Sequence, residues 1–511
     1  MRRSIVLLAG LCGMAVFSGC VSGPEYQRPQ VAVPAEIRGQ APPGAAADSA
    51  SLADSAWWEI FHDEALKALI EEALRNGYDV RLAAARVEEA EASAGIVRSQ
   101  AYPALTPSAE VGHGQTSLFS PSGRVVGTIG QVNLGLSWEL DLWGRIRRSN
   151  EAALAQVLAS EEARRGVFLS LVSEVATTYF QLRQLDLQLE IARRTTAAFQ
   201  GTYDLFNRRL EGGAASALET ASAEALLAAT AATIPDLERQ IAGLENQLSA
   251  LLGRNPGPIP RGAVLNDQFL PPEIPAGLPS DLLKRRPDLL ETEQNLIAAN
   301  ALVGVAKADY FPQISLTAAL GGIAPQVSEL FRDGKTWSIG AGLLGPVLQP
   351  GRLRNQYRAA VARRDQARIA YERSVNNAFV EVSTALLAYQ KYAEAERERT
   401  REVAAYQQAV QIADQRYVAG LSSYLDVLQA QQQLFPAEIL LAQGRYNRLA
   451  TLVQLYRALG GGWKLTDPAW VGGAVGAGRE RVTIEPLRHR ASTRCPDAGT
   501  ATMPCGPSTI L

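Results

Sequence analysis

The stretch Val132-Asn133-Leu134-Gly135-Leu136-Ser137-Trp138-Glu139-Leu140, followed at once by Asp141-Leu142-Trp143-Gly144-Arg145, decides the fold. Val132, Leu134, Leu136, Trp138 and Leu140 fall on one face of an extended chain, and Asn133, Ser137 and Glu139 on the other. This period of two marks a strand with one apolar and one polar face. From Arg145 to Gly212 no proline occurs, which leaves room for one very long helix. The same junction returns 207 residues later as Gly351-Arg352.

The rest of the chain repeats with it. Arg209-Leu210-Glu211-Gly212-Gly213 recurs at the same offset as Arg416-Tyr417-Val418-Ala419-Gly420. Upstream, Tyr102-Pro103 matches Phe311-Pro312 and Asp79-Val80-Arg81-Leu82 loosely matches Asp288-Leu289-Leu290-Glu291, both at an offset of 209, so the copies differ by one small indel between the strands. The period is far above the roughly 20–50 residues of solenoid units and points to duplication of a large unit. Each copy reads as helix, two strands, very long helix, tip and second long helix. In the first copy the helix covers about 79–100 and the strands lie near 104–116 and 125–141. In the second, Ile314, Leu316, Ala318 and Leu320 alternate with Gln313, Ser315 and Thr317, and Trp337, Ile339, Ala341 and Leu343 repeat the pattern before Pro346.

A proline-free run of 68 residues, found again from Arg352 to Ala419, makes a helix of about 100 Å. Along the second one, Leu353, Tyr357, Ala360, Ala367, Tyr371, Ala378, Val382, Ala385, Tyr389 and Tyr392 step by threes and fours and suit coiled-coil packing. A dimeric rod would share that stripe, but two strand pairs in register with the duplication would not interrupt a rod.

Strands of this length with one apolar face suit a soluble sheet or a transmembrane barrel. Tryptophans toward the strand ends (Trp138, Trp143, Trp337) and the N-terminal address favour the barrel. A membrane barrel must close to satisfy its backbone groups, and four strands cannot close alone. Two chains give eight strands, a barrel filled by its own side chains; three give twelve, which leave a lumen. A conduit therefore requires a homotrimer.

Arg2 and Arg3 precede an apolar run, Ile5 to Phe17, too short to span a bilayer, so residues 1–19 are expected to be a signal peptide. Phe17-Ser18-Gly19-Cys20 has the form of a lipobox, which makes Cys20 the expected lipidation site; cleavage without lipidation is the alternative. Val21 is not the aspartate associated with inner-membrane retention, which favours the outer membrane. The expected divisions are an anchor and extended segment over 20–60, repeat one over 61–270, repeat two over 271–465 and a weakly ordered tail over 466–511. Cys495 and Cys505 in that tail could close a small disulfide loop.

Composition removes other function classes. Charged residues make up 20% and hydrophobic residues 47%, which fits neither a disordered chain nor a helical membrane protein. A net charge of −2 leaves no electrostatic footprint for nucleic acid. His62, His113 and His489 are scattered and none adjoins a cysteine, so no metal or cofactor is expected. Gly334-Lys335-Thr336 ends like a phosphate-binding loop, but Glu329 stands where the first glycine belongs, and a surface loop between two strands is expected instead. The chain is not read as an enzyme.

Several motifs in order resemble the TolC/OprM-type outer-membrane efflux factors, in their lipid-anchored branch. They are Cys20-Val21-Ser22-Gly23-Pro24-Glu25-Tyr26-Gln27-Arg28-Pro29, Trp57-Trp58-Glu59-Ile60-Phe61, Leu283-Lys284-Arg285-Arg286-Pro287-Asp288, Arg416-Tyr417 through Gly420, Asp426-Val427-Leu428 and Leu459-Gly460-Gly461-Gly462-Trp463. The resemblance implies an α+β membrane protein: a trimer with a 12-stranded β-barrel in outer-membrane lipid and a periplasmic α-helical barrel. It implies two partners, a periplasmic adaptor and an inner-membrane pump of the RND type, docking at tips that hold Gly212, Gly213, Gly420, Leu421 and Ser422. A protein-secretion channel shares this fold and stays open as an alternative; a periplasmic adaptor, with one hairpin and no strand pairs, fits less well.

Glu219 plus the offset is Asp426, and each acid lies early in a helix, in Ser216-Ala217-Leu218-Glu219 and Ser423-Tyr424-Leu425-Asp426. One reading is an N-terminal capping box. The other is a gate, in which a trimer rings its narrow end with six carboxylates. Tyr417 matches the family's gating tyrosine, but Ser422 replaces an arginine and Gln429 a second aspartate found in some members, leaving Arg209 and Arg416 as substitute partners for the acids.

Overall fold

The structure, a computed structural model, describes residues 22–34, 37–39, 60–116, 125–271, 279–324, 330, 332 and 334–461. Cys20, Trp57, Trp58, Trp463, Cys495 and Cys505 lie outside them. The first copy holds α1 (Glu64–Asn76), α2 (Tyr78–Ser99), β1 (Ala104–Thr116), β2 (Val125–Leu140), α3 (Arg145–Glu211) and α4 (Ala217–Leu251). The second holds α5 (Pro279–Arg285), α6 (Pro287–Ala308), β3 (Gln313–Ala324), β4 (Lys335–Leu344), α7 (Arg352–Val418) and α8 (Tyr424–Ala458).

The turn from sheet to long helix is built alike in both copies. Gly144 and Gly351 take φ of 77° and 75°, a left-handed conformation that glycine adopts without steric penalty. In the first copy Asp141 accepts from the amides of Ile146 and Arg147 at 3.0 and 2.9 Å, satisfying the donors a helix start leaves free. The long helices then run 67 residues each, about 100 Å.

The four strands form one antiparallel sheet in the order β1-β2-β3-β4. Nearest that sheet the helices pack in the matching order α2-α3-α6-α7, and toward the tips as α4-α3-α8-α7. At either level the protomer is four helices across. The stripe along α7 is buried at Ala360, Tyr371, Ala378, Val382, Ala385 and Tyr389, whereas Tyr392 lies at its edge and is exposed. No helix among the described residues is long and apolar enough to cross a membrane.

Three features were not expected. The returning helices carry Pro235 and Pro436 in their interiors, each removing one backbone hydrogen bond. Lys335 and Thr336 open β4 instead of lying in a loop, and the amide of Ile323 donates to the carbonyl of Gly334 at 2.9 Å. Finally, Asp63, 3% exposed, collects five donors at the level where α4 ends. It caps α1 through the amides of Ala65 and Leu66, and also accepts from the Tyr179 hydroxyl, the Ala263 amide and the Gln268 side-chain amide.

Residues Ser22 to Pro34 form an extended strap along α6 and onward to α7. The Ser22 amide donates to the Trp143 carbonyl at 3.1 Å. Asn300 donates to the Pro24 carbonyl, and Tyr26 and Arg28 both donate to Glu293. Ile37 buries itself among Leu282, Val382, Leu386, Leu455 and Leu459. Gly23, at φ 109°, crosses so close to Gly304 that a side-chain carbon would lie 2.4 Å from the Gly304 Cα.

Candidate functional site

Both hairpins turn by the same device. The amide of Ala214 donates to the Arg209 carbonyl at 2.7 Å, and that of Leu421 to the Arg416 carbonyl at 2.8 Å. Gly213 and Gly420 hold φ of 72° and 71° between them. These are Schellman caps, which require a residue at home in the left-handed region. Gly212, Leu421 and Ser422 complete the two turns; the Ser422 hydroxyl is buried without a partner among the described residues.

The two tips are packed on each other. Phe206 of α3 and Ala223 of α4 share a core with Tyr424, Val427 and Leu428 of α8. The Tyr424 ring sits edge-on to Phe206 at 4.6 Å and to Tyr417 at 5.0 Å, and its hydroxyl shares a 2.8 Å hydrogen bond with Thr202. Burial pushes the Tyr424 hydroxyl above its ordinary range.

The carboxylates part company here. Glu219 is committed to a complete capping box: its carboxylate accepts from the Ser216 amide at 2.8 Å, while the Ser216 hydroxyl accepts from the Glu219 amide at 3.2 Å. Ser423 makes no side-chain cap hydrogen bond, so the second hairpin has no such box. Asp426 is exposed and makes no side-chain hydrogen bond or ion pair within the protomer among the described residues. Of these two acids, only Asp426 is unpaired among the described residues.

The arginines also differ from expectation. Arg209 pairs with neither acid: its Nη1 donates to the Tyr417 hydroxyl, and its guanidinium carbon lies 5.6 Å from that ring's centroid. This joins the first hairpin to the second. Arg416 is exposed and makes no ion pair within the protomer among the described residues.

At the other end the sheet register sorts the residues onto two faces. Leu105 opposes Leu136, which opposes Ala318, which opposes Ile339; Leu134, Leu320 and Trp337 line up alongside. Leu320, Trp337 and Ile339 are 65%, 77% and 80% exposed, an apolar surface too broad for water. The opposite face carries Thr106, Ser108 and Glu110 of β1, Gln131, Asn133 and Ser137 of β2 and Ser315 and Thr317 of β3. Among the described residues, the outer edges of β1 and β4 have no partner strand.

The sequence profile of the outer membrane efflux protein family matches residues 69–254 and 278–461. The chain belongs to the outer membrane efflux protein family. It is 35% identical over 473 residues to the toluene efflux pump outer membrane protein TtgC of Pseudomonas putida, covering 91% of this chain and 96% of TtgC. It is 34% identical over 459 residues to the cation efflux system protein CusC of Escherichia coli, covering 89% and 99%. Among solved structures, the open state of the MtrE outer membrane channel of Neisseria gonorrhoeae superposes with a TM-score of 0.77 at 31% identity, covering 87% of this chain and 98% of that one.

For this family member the repeat offset placed the two hairpin ends in the sequence, and alternation placed the strand faces. The sequence missed the Arg209–Tyr417 contact, because the duplication pairs Arg209 with Arg416 and hides a bond made between copies. It missed Asp63, whose signal was only a helix-capping aspartate ahead of Glu64.

Proposed function

We propose that three copies of this chain close a twelve-stranded barrel in the outer membrane, continued into the periplasm by the helices, and that this conduit gives passive exit to small molecules driven by an inner-membrane pump. The observation that carries the reading is the sheet: one apolar face, one polar face and two unpaired edges. In hydrocarbon an unpaired edge is untenable, so the edges of successive copies must join. The apolar face then meets lipid and the polar face lines the lumen. Toluene and cation efflux are named for the relatives; the same small-molecule class is the reading here. The chain supplies the path, and catalysis belongs to its partners.

A lipid on Cys20 fits the strap. Ser22, two residues on, is bonded to Trp143, which stacks on Phe311 at 4.7 Å and donates to the Pro312 carbonyl at the base of the sheet. Trp138 donates to the Ala101 carbonyl beside it. Such an aromatic band suits the lipid–water boundary. At the far end, the tips expose Leu218, Val418 and Leu421, 77%, 79% and 71% accessible, an apolar rim for a periplasmic adaptor.

Deleting the gene should raise cellular accumulation of an amphipathic dye such as ethidium and leave the secreted proteins unchanged. Loss of one secreted protein with unaltered dye accumulation would place the channel in protein secretion and overturn the small-molecule reading.

A further inference from the structure

The joint between copies can be read from a joint inside the protomer. At the inner seam α3 descends from β2 while α6 rises into β3, and Ala152 and Ala155 meet Ala298 and Ala301. The protomer's edges repeat this arrangement, with α7 descending from β4 on one side and α2 rising into β1 on the other. The duplication offsets of 207 and 209 carry the inner contacts onto Ala359 and Ala362 of α7 and onto Glu89 and Ala92 of α2 in a second copy.

The strands provide an independent check. Leu134 opposite Leu320 and Leu136 opposite Ala318 become Ala341 opposite Val111 and Leu343 opposite Ala109. All four residues lie on the apolar face. A one-residue error in the offsets would have set apolar against polar.

The two edge helices carry the marks of an uncovered seam. On α2, Leu82 and Ile96 are 51% and 68% exposed at heptad spacing with Glu89; on α7, Ile369 is 57% exposed at the same spacing from Ala362. Charge is complementary as well. The first 22 residues of α7 hold seven arginines against two acids, whereas Glu88, Glu89 and Glu91 cluster on α2. Among the described residues, neither these glutamates nor Arg358 and Arg363 join an ion pair within the protomer, although Arg364 is taken by Asp365. Measured from the membrane ends of the two helices, both clusters lie about 10–17 Å along.

We propose that the face formed by α2 binds α7 of a second copy in this register, with Ala92 packed on Ala359 and Glu89, opposite Ala362, held between Arg358 and Arg363. The inference rests on the trimeric reading above and adds the contact that sets how copies join. Small residues let the helices approach closely, and a carboxylate flanked by two guanidiniums fixes both direction and height.

The test uses the full chain with Cys495→Ser and Cys505→Ser, purified in detergent and oxidised with copper phenanthroline. Ala92→Cys with Ala359→Cys should give a covalent trimer on a denaturing gel, and Ala85→Cys with Ala359→Cys, two turns out of register, should not. Glu89→Arg should lower trimer recovered at fixed chain concentration about tenfold, and adding Arg363→Glu should restore it. Native mass separates the two claims. A three-chain mass without the 92–359 crosslink overturns this seam and leaves the trimer standing, whereas a one-chain mass removes both. A crosslink that forms while the charge exchange changes nothing overturns the role given to Glu89.

Discussion

Arg209, near the end of the first hairpin's outgoing helix, donates to the hydroxyl of Tyr417 on the second hairpin and stacks against its ring. The two residues lie 208 positions apart, and their contact fastens one tip to the other. A conduit opened by separating the hairpins must break it. Removing one exposed hydrogen bond of this kind costs about 1 kcal/mol, or about fivefold in a closed-to-open ratio. Tyr417→Phe should therefore raise the resting conductance of reconstituted channels about fivefold, and Arg209→Ala somewhat more, since it also removes the stacking. Unchanged conductance in both variants would show that the contact does not hold the tip shut.

The two tip carboxylates should separate by assay. Glu219→Ala breaks the capping box and should destabilise the first hairpin by about 1 kcal/mol, read as a lower melting temperature with ion selectivity intact. Asp426→Asn should leave the melting temperature alone and lower cation preference, because that acid is exposed and unspent. The reverse assignment of effects would contradict the geometry.

Asp63 has a different role. Asp63→Ala strands five donors in a buried site and should cost about 4 kcal/mol, seen in chemical or thermal unfolding of the detergent-solubilised protein. Molecules that still assemble should conduct normally, since Asp63 lies far along the chain from both tips and packs on α3 through Tyr179.

The strap depends on a crossing of two glycines. Gly23→Ala puts a side-chain carbon into the Gly304 backbone at a φ that other residues avoid, a cost of about 1–3 kcal/mol. Cleavage of the strap by a broad-specificity protease should then accelerate at least about fivefold, while the long helices α3 and α7 stay resistant.

Most of this architecture was legible because it is periodic. Alternation in Val132–Leu140 gave the strand and its faces, the absence of proline after Arg145 gave the helix, and the offset between Gly144 and Gly351 gave the second copy. Single contacts were less legible. Glu219 and Asp426 occupy equivalent positions, yet only Glu219 closes its box, and the serine-to-acid spacing is the same in both. Tyr417 was singled out, but its partner lies on the other hairpin, where sequence spacing carries no information. Pro235 and Pro436 sit inside helices that a breaker rule would have ended, because long coiled-coil packing on both sides outweighs one lost backbone bond.

The central claim is that copies of this chain close a water-filled barrel through the free edges of β1 and β4. Native mass spectrometry in detergent, followed by planar-bilayer recording of the same preparation, tests it most directly. Three chains per particle with stepwise ion conductance is the predicted result. A stable single-chain particle that retains all four strands, or a three-chain particle that never conducts, would contradict it.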